Sequence, residues 1–156
     1  MFTGDESGNF LFRSLYAAGF SNRPDSVRRG DATRLRDCYM TATCRCAPPL
    51  NKLLPIEIAR CRPFLHRELR LLSRVKVVVA LGRVGFESAL AAYRDIGRFA
   101  FPRKPLFGHC AVHRFETLTL IASYHPSQQN TFTGRLTAPM LDRVFTTARR
   151  IIEEGD

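Results

Sequence analysis

Residues 118–130 read LTLIASYHPSQQN, an apolar run that is followed at once by a histidine and a short polar loop. The length and composition of the run predict a buried strand. In open α/β sheets, ligands bind at the carboxyl ends of the strands, and His125 lies at such a position. An imidazole there can donate a hydrogen bond, carry charge or shuttle a proton near neutral pH. An ordinary histidine in a proline-containing turn would give the same local sequence, so the motif alone leaves both interpretations open.

The length and charge of the chain favour one domain with a polyanionic partner. Its 156 residues, of which 45% are hydrophobic, suffice for a single core and leave no room for a second domain of ordinary size. The 24 Lys and Arg residues outnumber the 14 Asp and Glu residues, which gives a net charge of +10, and most of the cations are arginine. Arginine suits bidentate contacts with phosphate, which indicates a nucleic acid. A GC-rich genome would produce the same arginine excess without any such partner.

The cysteines and the apolar runs predict a cytoplasmic protein without a membrane span. Five cysteines in a chain without a recognisable signal peptide favour reduced thiols or a metal site over a disulfide framework. The longest apolar stretch, residues 75–82, is interrupted by Lys76 and is far too short to cross a bilayer.

Alternating helices and strands predict an α/β fold with a mainly parallel sheet. Apolar residues at helical spacing predict a first helix over Asn9–Ala18, capped by Ser7 and ended by Gly19. Residues 38–44, CYMTATC, are β-prone and predict a short strand. The remaining predicted elements are a helix from Pro55 to about Leu72, a buried strand over Val75–Leu81, a helix over Val84–Tyr93, strands near Ala111–Phe115 and Leu118–Ser123, and a final helix from Thr137 to about Glu153.

Five segments carry the most informative combination of residues. They are FTGDESG at 2–8, YMTATCRCAPPLNK at 39–52, CRPFL at 61–65, VVVALGR at 77–83 and YHPSQQNTFTGRL at 124–136. Together they resemble the uracil-DNA glycosylase superfamily, and within it the prokaryotic iron–sulfur enzymes of family five, the b-type. The match covers essentially the whole chain, so we expect one domain over residues 1–156. The resemblance implies a three-layer α/β/α fold with a four-stranded sheet in the order 2-1-3-4.

The resemblance also implies hydrolysis of the N-glycosidic bond of uracil in DNA, which starts base-excision repair. Such an enzyme must take the base out of the duplex, because the bond cannot be reached inside the stack. Phe2 matches the family's stacking phenylalanine, Asp5 the carboxylate that positions the attacking water, and His125 the residue that stabilises the departing base. Ser127 matches the residue that grips a neighbouring phosphate. The loop that enters the groove contains Gln128, Gln129, Asn130 and Arg135. Asp5 could instead simply belong to the turn before the first helix.

Two further positions bear on base recognition. The sister iron–sulfur branch has an asparagine where this chain has Ala42, and alanine cannot read the polar edge of uracil. The loss of that directed hydrogen bond predicts tolerance of other deaminated bases, such as hypoxanthine or xanthine. Asn51 matches an asparagine of the family's site loop, and an Asx turn that stabilises the loop is an equally good interpretation.

Cys46 and Cys61, fifteen positions apart, match the second pair of ligands of the family's 4Fe–4S cluster. Such a cluster needs four thiolates. In the family the first two come from a CxxC pair upstream of the FTGD segment, and this sequence contains no CxxC. Cys38, Cys44 and Cys110 do not match ligand positions and are predicted to be buried thiols. The resemblance therefore predicts an incomplete cluster.

The family's first strand also precedes the FTGD segment and lies in the middle of the sheet. This sequence contains no such segment, so we expect that the chain is truncated at its N-terminus relative to the family. The loss of this strand would leave unpaired backbone groups in the core. We also expect a monomer. One alternative is a catalytically impaired fragment that binds DNA through its arginines. A basic RNA- or protein-binding module is a second alternative, and its expected RNP aromatics or GXXG loop are absent from the sequence.

Overall fold

A computed structural model describes residues 4–28, 30–45 and 53–155 of the chain. Within these ranges the chain forms helices and strands that alternate along much of its length. In chain order they are α1 (Glu6–Ala17), α2 (Pro55–Leu71), β1 (Val77–Leu81), α3 (Gly82–Asp95), β2 (Val112–Arg114), β3 (Thr119–Ser123), α4 (Gln128–Phe132) and α5 (Ala138–Glu154). None of these helices is long and apolar enough to cross a membrane.

The strands form one sheet in the order β1-β3-β2, with β3 in the centre. β1 and β3 are parallel, and their last residues, Leu81 and Ser123, lie opposite each other. β2 and β3 form an antiparallel pair. The α/β class is confirmed. The sheet in the described part of the chain has three strands, with one parallel and one antiparallel pairing. The resemblance predicted a mainly parallel sheet that lacks the first of the family's four strands.

Residues 38–44 do not form the predicted strand. Their side chains instead bind Glu68 on α2, through Tyr39 and Thr41. None of the three strands in the described ranges pairs with this segment. The prediction was wrong because β propensity reflects packing against neighbouring strands, and a segment without such a neighbour has no hydrogen-bonded ladder to join.

Helices cover both faces of the sheet and give three layers. α1 and α5 pack on the face that carries Ile121 of β3. α2 and α3 pack on the opposite face, which carries Leu120. All of the residues of β3 are buried, so this strand is the centre of both hydrophobic clusters.

Two helices begin earlier than the sequence predicted. α1 begins at Glu6, and its N-cap is Asp5, whose Oδ1 accepts a hydrogen bond from the Gly8 N–H at 2.6 Å. Ser7 therefore lies inside the first turn and does not cap the helix. α3 begins at Gly82, directly after β1 and without an intervening loop. This junction brings the N-terminus of α3 to the edge of the sheet where β3 also ends.

Candidate active site

His125 lies two residues beyond β3, at the carboxyl end of the parallel strand pair, as predicted. The backbone on both sides of it is held by side chains. The Tyr124 N–H donates to Nδ1 of His109 at 3.2 Å. The side-chain amide of Asn130 donates to the His125 carbonyl oxygen at 2.8 Å. The main chain of His125 is therefore fixed while the residue remains exposed to solvent.

Asp5 reaches this region from the other end of the chain, at the start of α1. The preceding residue, Gly4, donates its N–H to the Ser26 carbonyl oxygen at 2.9 Å. A Cβ on Gly4 would lie 2.9 Å from the carbonyl oxygen of Val27, and its φ of +81° is unfavourable for residues with side chains. Glycine is therefore required for this close approach, which sets the position of Asp5.

The protonation of His125 depends on two opposing effects. Although the residue is exposed, partial desolvation by the surrounding protein disfavours the imidazolium and lowers its pKa. The nearby Asp5 carboxylate acts in the opposite direction, and the desolvation is the larger effect. The pKa of His125 therefore lies below the ordinary histidine value, so the ring is neutral at physiological pH. A neutral imidazole has one N–H donor that can bind an oxygen of a ligand.

The loop after His125 contains the short helix α4, which the sequence did not predict. Ser127 is the N-cap residue of this helix. Gln128 and Gln129 are exposed on its first turn and are accessible to a ligand. Arg135 is exposed as well, and its guanidinium lies over the ring of Tyr124, 4.8 Å from the centroid. Arg135 therefore stabilises the loop beside the site, as the amide of Asn130 does.

Phe132, at the end of α4, is a candidate that the sequence prediction missed. Its side chain is 80% exposed. Single exposed apolar residues are common on protein surfaces, so the position of Phe132 on the loop after His125, and not its exposure alone, makes it a candidate. The available sequence signal was a single aromatic residue within the polar run QQNTFTGR.

Ala42 is half-buried in the segment 39–45, which several side chains fasten to α2. Glu68 accepts hydrogen bonds from Arg45 Nη2 at 2.6 Å, from Tyr39 Oη at 3.4 Å and from the Thr41 hydroxyl. The segment therefore has a defined position although it is not a strand. The predicted site residues that lie outside the described ranges are Phe2, Asn51 and Cys46.

Comparison with known proteins decides which family these features belong to. The sequence profile described as the uracil DNA glycosylase superfamily matches residues 1–149, which include both Asp5 and His125. The chain belongs to the uracil-DNA glycosylase superfamily. The family resemblance of the five sequence segments is therefore confirmed, together with the α/β class that it implied.

Curated relatives in this superfamily resemble the chain over nearly all of its length. The "Type-5 uracil-DNA glycosylase" of Mycobacterium bovis is 44% identical over 97% of this chain and 56% of its own length. The proteins of the same name from Thermus thermophilus and Pyrobaculum aerophilum are 46% and 38% identical, over 96% and 95% of this chain and 66% and 62% of their own lengths. The chain thus spans less than two thirds of each relative.

The described cysteines bear on the iron–sulfur cluster that the family resemblance implies. Cys61 is half-buried on α2, and Cys38 is half-buried with its thiol pKa raised to about 11 by burial, which keeps it protonated. Within the described ranges, no group of three or more His, Cys, Asp or Glu side chains could hold a metal ion. A four-iron cluster needs four thiolates, and the described residues alone do not supply them; Cys46, which the family resemblance pairs with Cys61, lies outside these ranges.

Proposed function

We propose that this chain is a DNA glycosylase that hydrolyses the bond between uracil and deoxyribose. The observation that supports this most directly is the pairing of Asp5 and His125 at one edge of the sheet, expressed in the influence of the Asp5 carboxylate on the His125 ring. One group is an anion at the start of a helix, and the other is a neutral hydrogen-bond donor. Hydrolysis of a bond whose leaving group departs as an anion needs both.

In the proposed reaction, the bond between C1′ of the sugar and N1 of uracil breaks, and its electron pair leaves with the base. The neutral His125 donates a hydrogen bond to the base oxygen on which negative charge develops. Asp5 orients a water molecule and stabilises the positive charge that develops on the sugar. The water oxygen bonds to C1′, its proton passes through Asp5 to solvent, and the base anion takes up a proton. The products are uracil and an abasic site.

The loop beyond His125 is the proposed groove-binding element. The bond is accessible only after the nucleotide leaves the stack, and apolar side chains that enter a base step stabilise the opened duplex. The exposed Phe132 provides such a side chain, and Gln128 and Gln129 provide polar contacts beside it. Ser127, at the start of α4, is proposed to bind the phosphate next to the extruded nucleotide.

Ala42 supports a wider range of bases. Its methyl group offers no hydrogen bond to the edge of a base, and sites that lack a directed hydrogen bond reject wrong ligands poorly. We therefore include hypoxanthine and xanthine among the proposed substrates. By the family resemblance, Cys46 and Cys61 are proposed as two of the four ligands of a 4Fe–4S cluster. This sequence contains no CxxC pair to provide the other two thiolates.

The test is abasic-site formation on oligonucleotides that carry uracil, hypoxanthine or thymine at one position. The wild-type chain and the Glu6→Gln variant should act on uracil, whereas Asp5→Asn should be at least about 100-fold slower. Glu6 is the matched control because it is the next acidic residue on the same helix turn and has no proposed role. A folded wild-type protein that releases no uracil at any enzyme concentration would refute the proposal.

The net charge of +10 supports a second candidate function, DNA binding without catalysis. Contacts with phosphates release counterions, so such binding weakens steeply with salt and depends little on the damaged base. Salt-sensitive binding to uracil-containing and undamaged DNA with equal affinity, without base release, would favour this candidate.

A further inference from the structure

Gly82 lies directly against the side chain of His125. It is the first residue of α3 and follows Leu81, the last residue of β1. A Cβ placed on Gly82 would be 3.1 Å from the Cβ of His125 and 3.7 Å from both Cγ and Cδ2 of the ring. Ordinary contacts between carbon atoms are about 3.5–4.0 Å. The space that a side chain would fill at this position is therefore occupied by His125.

The backbones on either side of this contact have little freedom to separate. Leu81 pairs with Ser123 in the parallel ladder, which fixes the spacing of the two chains one residue before Gly82. Beyond β3, His109 binds the Tyr124 N–H and Asn130 binds the His125 carbonyl oxygen. The tightest contact is with Cβ of His125, which moves only with the main chain, so a methyl group on Gly82 would shift residue 125, and the imidazole with it, against these restraints.

We propose that Gly82 is a positioning residue for His125: the absence of a side chain at the β1–α3 junction lets the imidazole lie over the start of α3 in the orientation that base departure requires. This inference rests on the proposed role of His125 in the glycosylase reaction. The carboxylate of Asp5, the N-cap residue of α1, acts electrostatically on the same ring, so displacement of the ring also alters that interaction.

The test compares Gly82→Ala with Gly97→Ala. The two glycines lie at opposite ends of α3 and have similar positive φ values, +80° and +75°, so both variants carry the same kind of backbone strain. A Cβ on Gly97 would meet no atom within 4 Å, which makes Gly97→Ala the matched control without a His125 contact. Single-turnover uracil release as a function of pH and NMR titration of the His125 ring are measured for both variants.

Displacement by a few tenths of an ångström at a reacting group is expected to lower the rate by about tenfold in Gly82→Ala, with a shifted pH midpoint and a shifted His125 resonance. Gly97→Ala should match the wild type in all three. Equal rates, equal pH midpoints and an unchanged His125 resonance in the two variants would overturn the inference. If the wild type releases no uracil, the proposed function fails, and the NMR comparison still decides the contact.

A double-mutant cycle covers the case in which Gly82→Ala does not fold. His125→Gly removes the opposing Cβ, so Gly82→Ala should destabilise this background no more than Gly97→Ala does. Chemical unfolding of the wild type, of His125→Gly and of the Gly82→Ala and Gly97→Ala variants of each measures this difference. If Gly82→Ala remains equally damaging when His125 is glycine, its effect does not come from the histidine and the inference is wrong.

Discussion

Replacement of Asp5 by asparagine should separate its structural role from its proposed chemical role. Asp5 Oδ1 accepts the Gly8 N–H at 2.6 Å and caps α1. Asparagine caps helices about as well as aspartate, so Asp5→Asn should change the free energy of unfolding by less than about 0.5 kcal/mol. Asp5→Ala removes the cap and should cost about 1 kcal/mol, which lowers Tm by about 2–4 °C in a chain of this size.

The effect on activity should be much larger than the effect on stability. Loss of a carboxylate that orients water removes a contribution of about 10²–10⁴-fold to the rate, which corresponds to about 3–5 kcal/mol of activation free energy. The same substitution should move the pKa of His125 further down, because the Asp5 carboxylate now opposes the desolvation of the ring. Asp5→Asn should therefore be well folded, nearly inactive and altered in its His125 titration.

Thermal unfolding, single-turnover uracil release and NMR titration of His125 measure the three consequences, with Glu6→Gln as the charge-matched control. An Asp5→Asn protein that is as active as the wild type would refute the chemical role. One that melts as early as Asp5→Ala, with activity lost only in proportion to the unfolded fraction, would show that the cap alone explains the residue. A His125 pKa that rises or does not move would refute the electrostatic coupling.

Further predictions concern the surroundings of the site. Burial lowers the pKa of His109, whose Nδ1 accepts the Tyr124 N–H. The contribution of neutral His109 to stability is therefore present above about pH 6.5 and is lost as the pH falls towards the lowered pKa. Urea unfolding should show a steeper loss of stability with falling pH in the wild type than in His109→Gln. Glu68→Ala should free residues 39–45 and cost about 1–2 kcal/mol, since the partners are exposed, with faster amide exchange confined to that segment. Leu120→Ala, at a fully buried position, should cost about 2–5 kcal/mol in urea unfolding, whereas Leu106→Ala, at a position 81% exposed, should cost less than about 0.5 kcal/mol.

The two strands that position the site were predictable because short, continuous apolar runs are typical of strands buried inside a sheet. Val77–Leu81 and Thr119–Ser123 carry few polar groups, and such runs are stable where helices cover both faces of a sheet. Residues 38–44 have a similar β-prone composition and were predicted wrongly. Their environment differs, because the side chains of the segment bind a carboxylate on α2 rather than a neighbouring strand.

The candidate site was only partly accessible to sequence reasoning. His125 could be predicted from the strand that precedes it, which is local information. Asp5 followed from the family resemblance alone, because no spacing in the sequence relates a residue near the start of the chain to position 125. The contact between Gly82 and His125 depends on the register that sets Leu81 opposite Ser123, and this register appears only when the strands are paired.

Both proposed reacting groups lie at helix N-termini. Asp5 caps α1, and its Oδ1 accepts the Gly8 N–H at the partially positive end of that helix. His125 lies over Gly82 at the N-terminus of α3, where the same partial charge disfavours an imidazolium and acts in the same direction as desolvation. The N–H of a neutral imidazole can stabilise the negative charge on the departing uracil, and a carboxylate can orient the attacking water. One helix N-terminus therefore holds a carboxylate as its cap and the other favours a neutral imidazole, the two groups that the proposed hydrolysis uses.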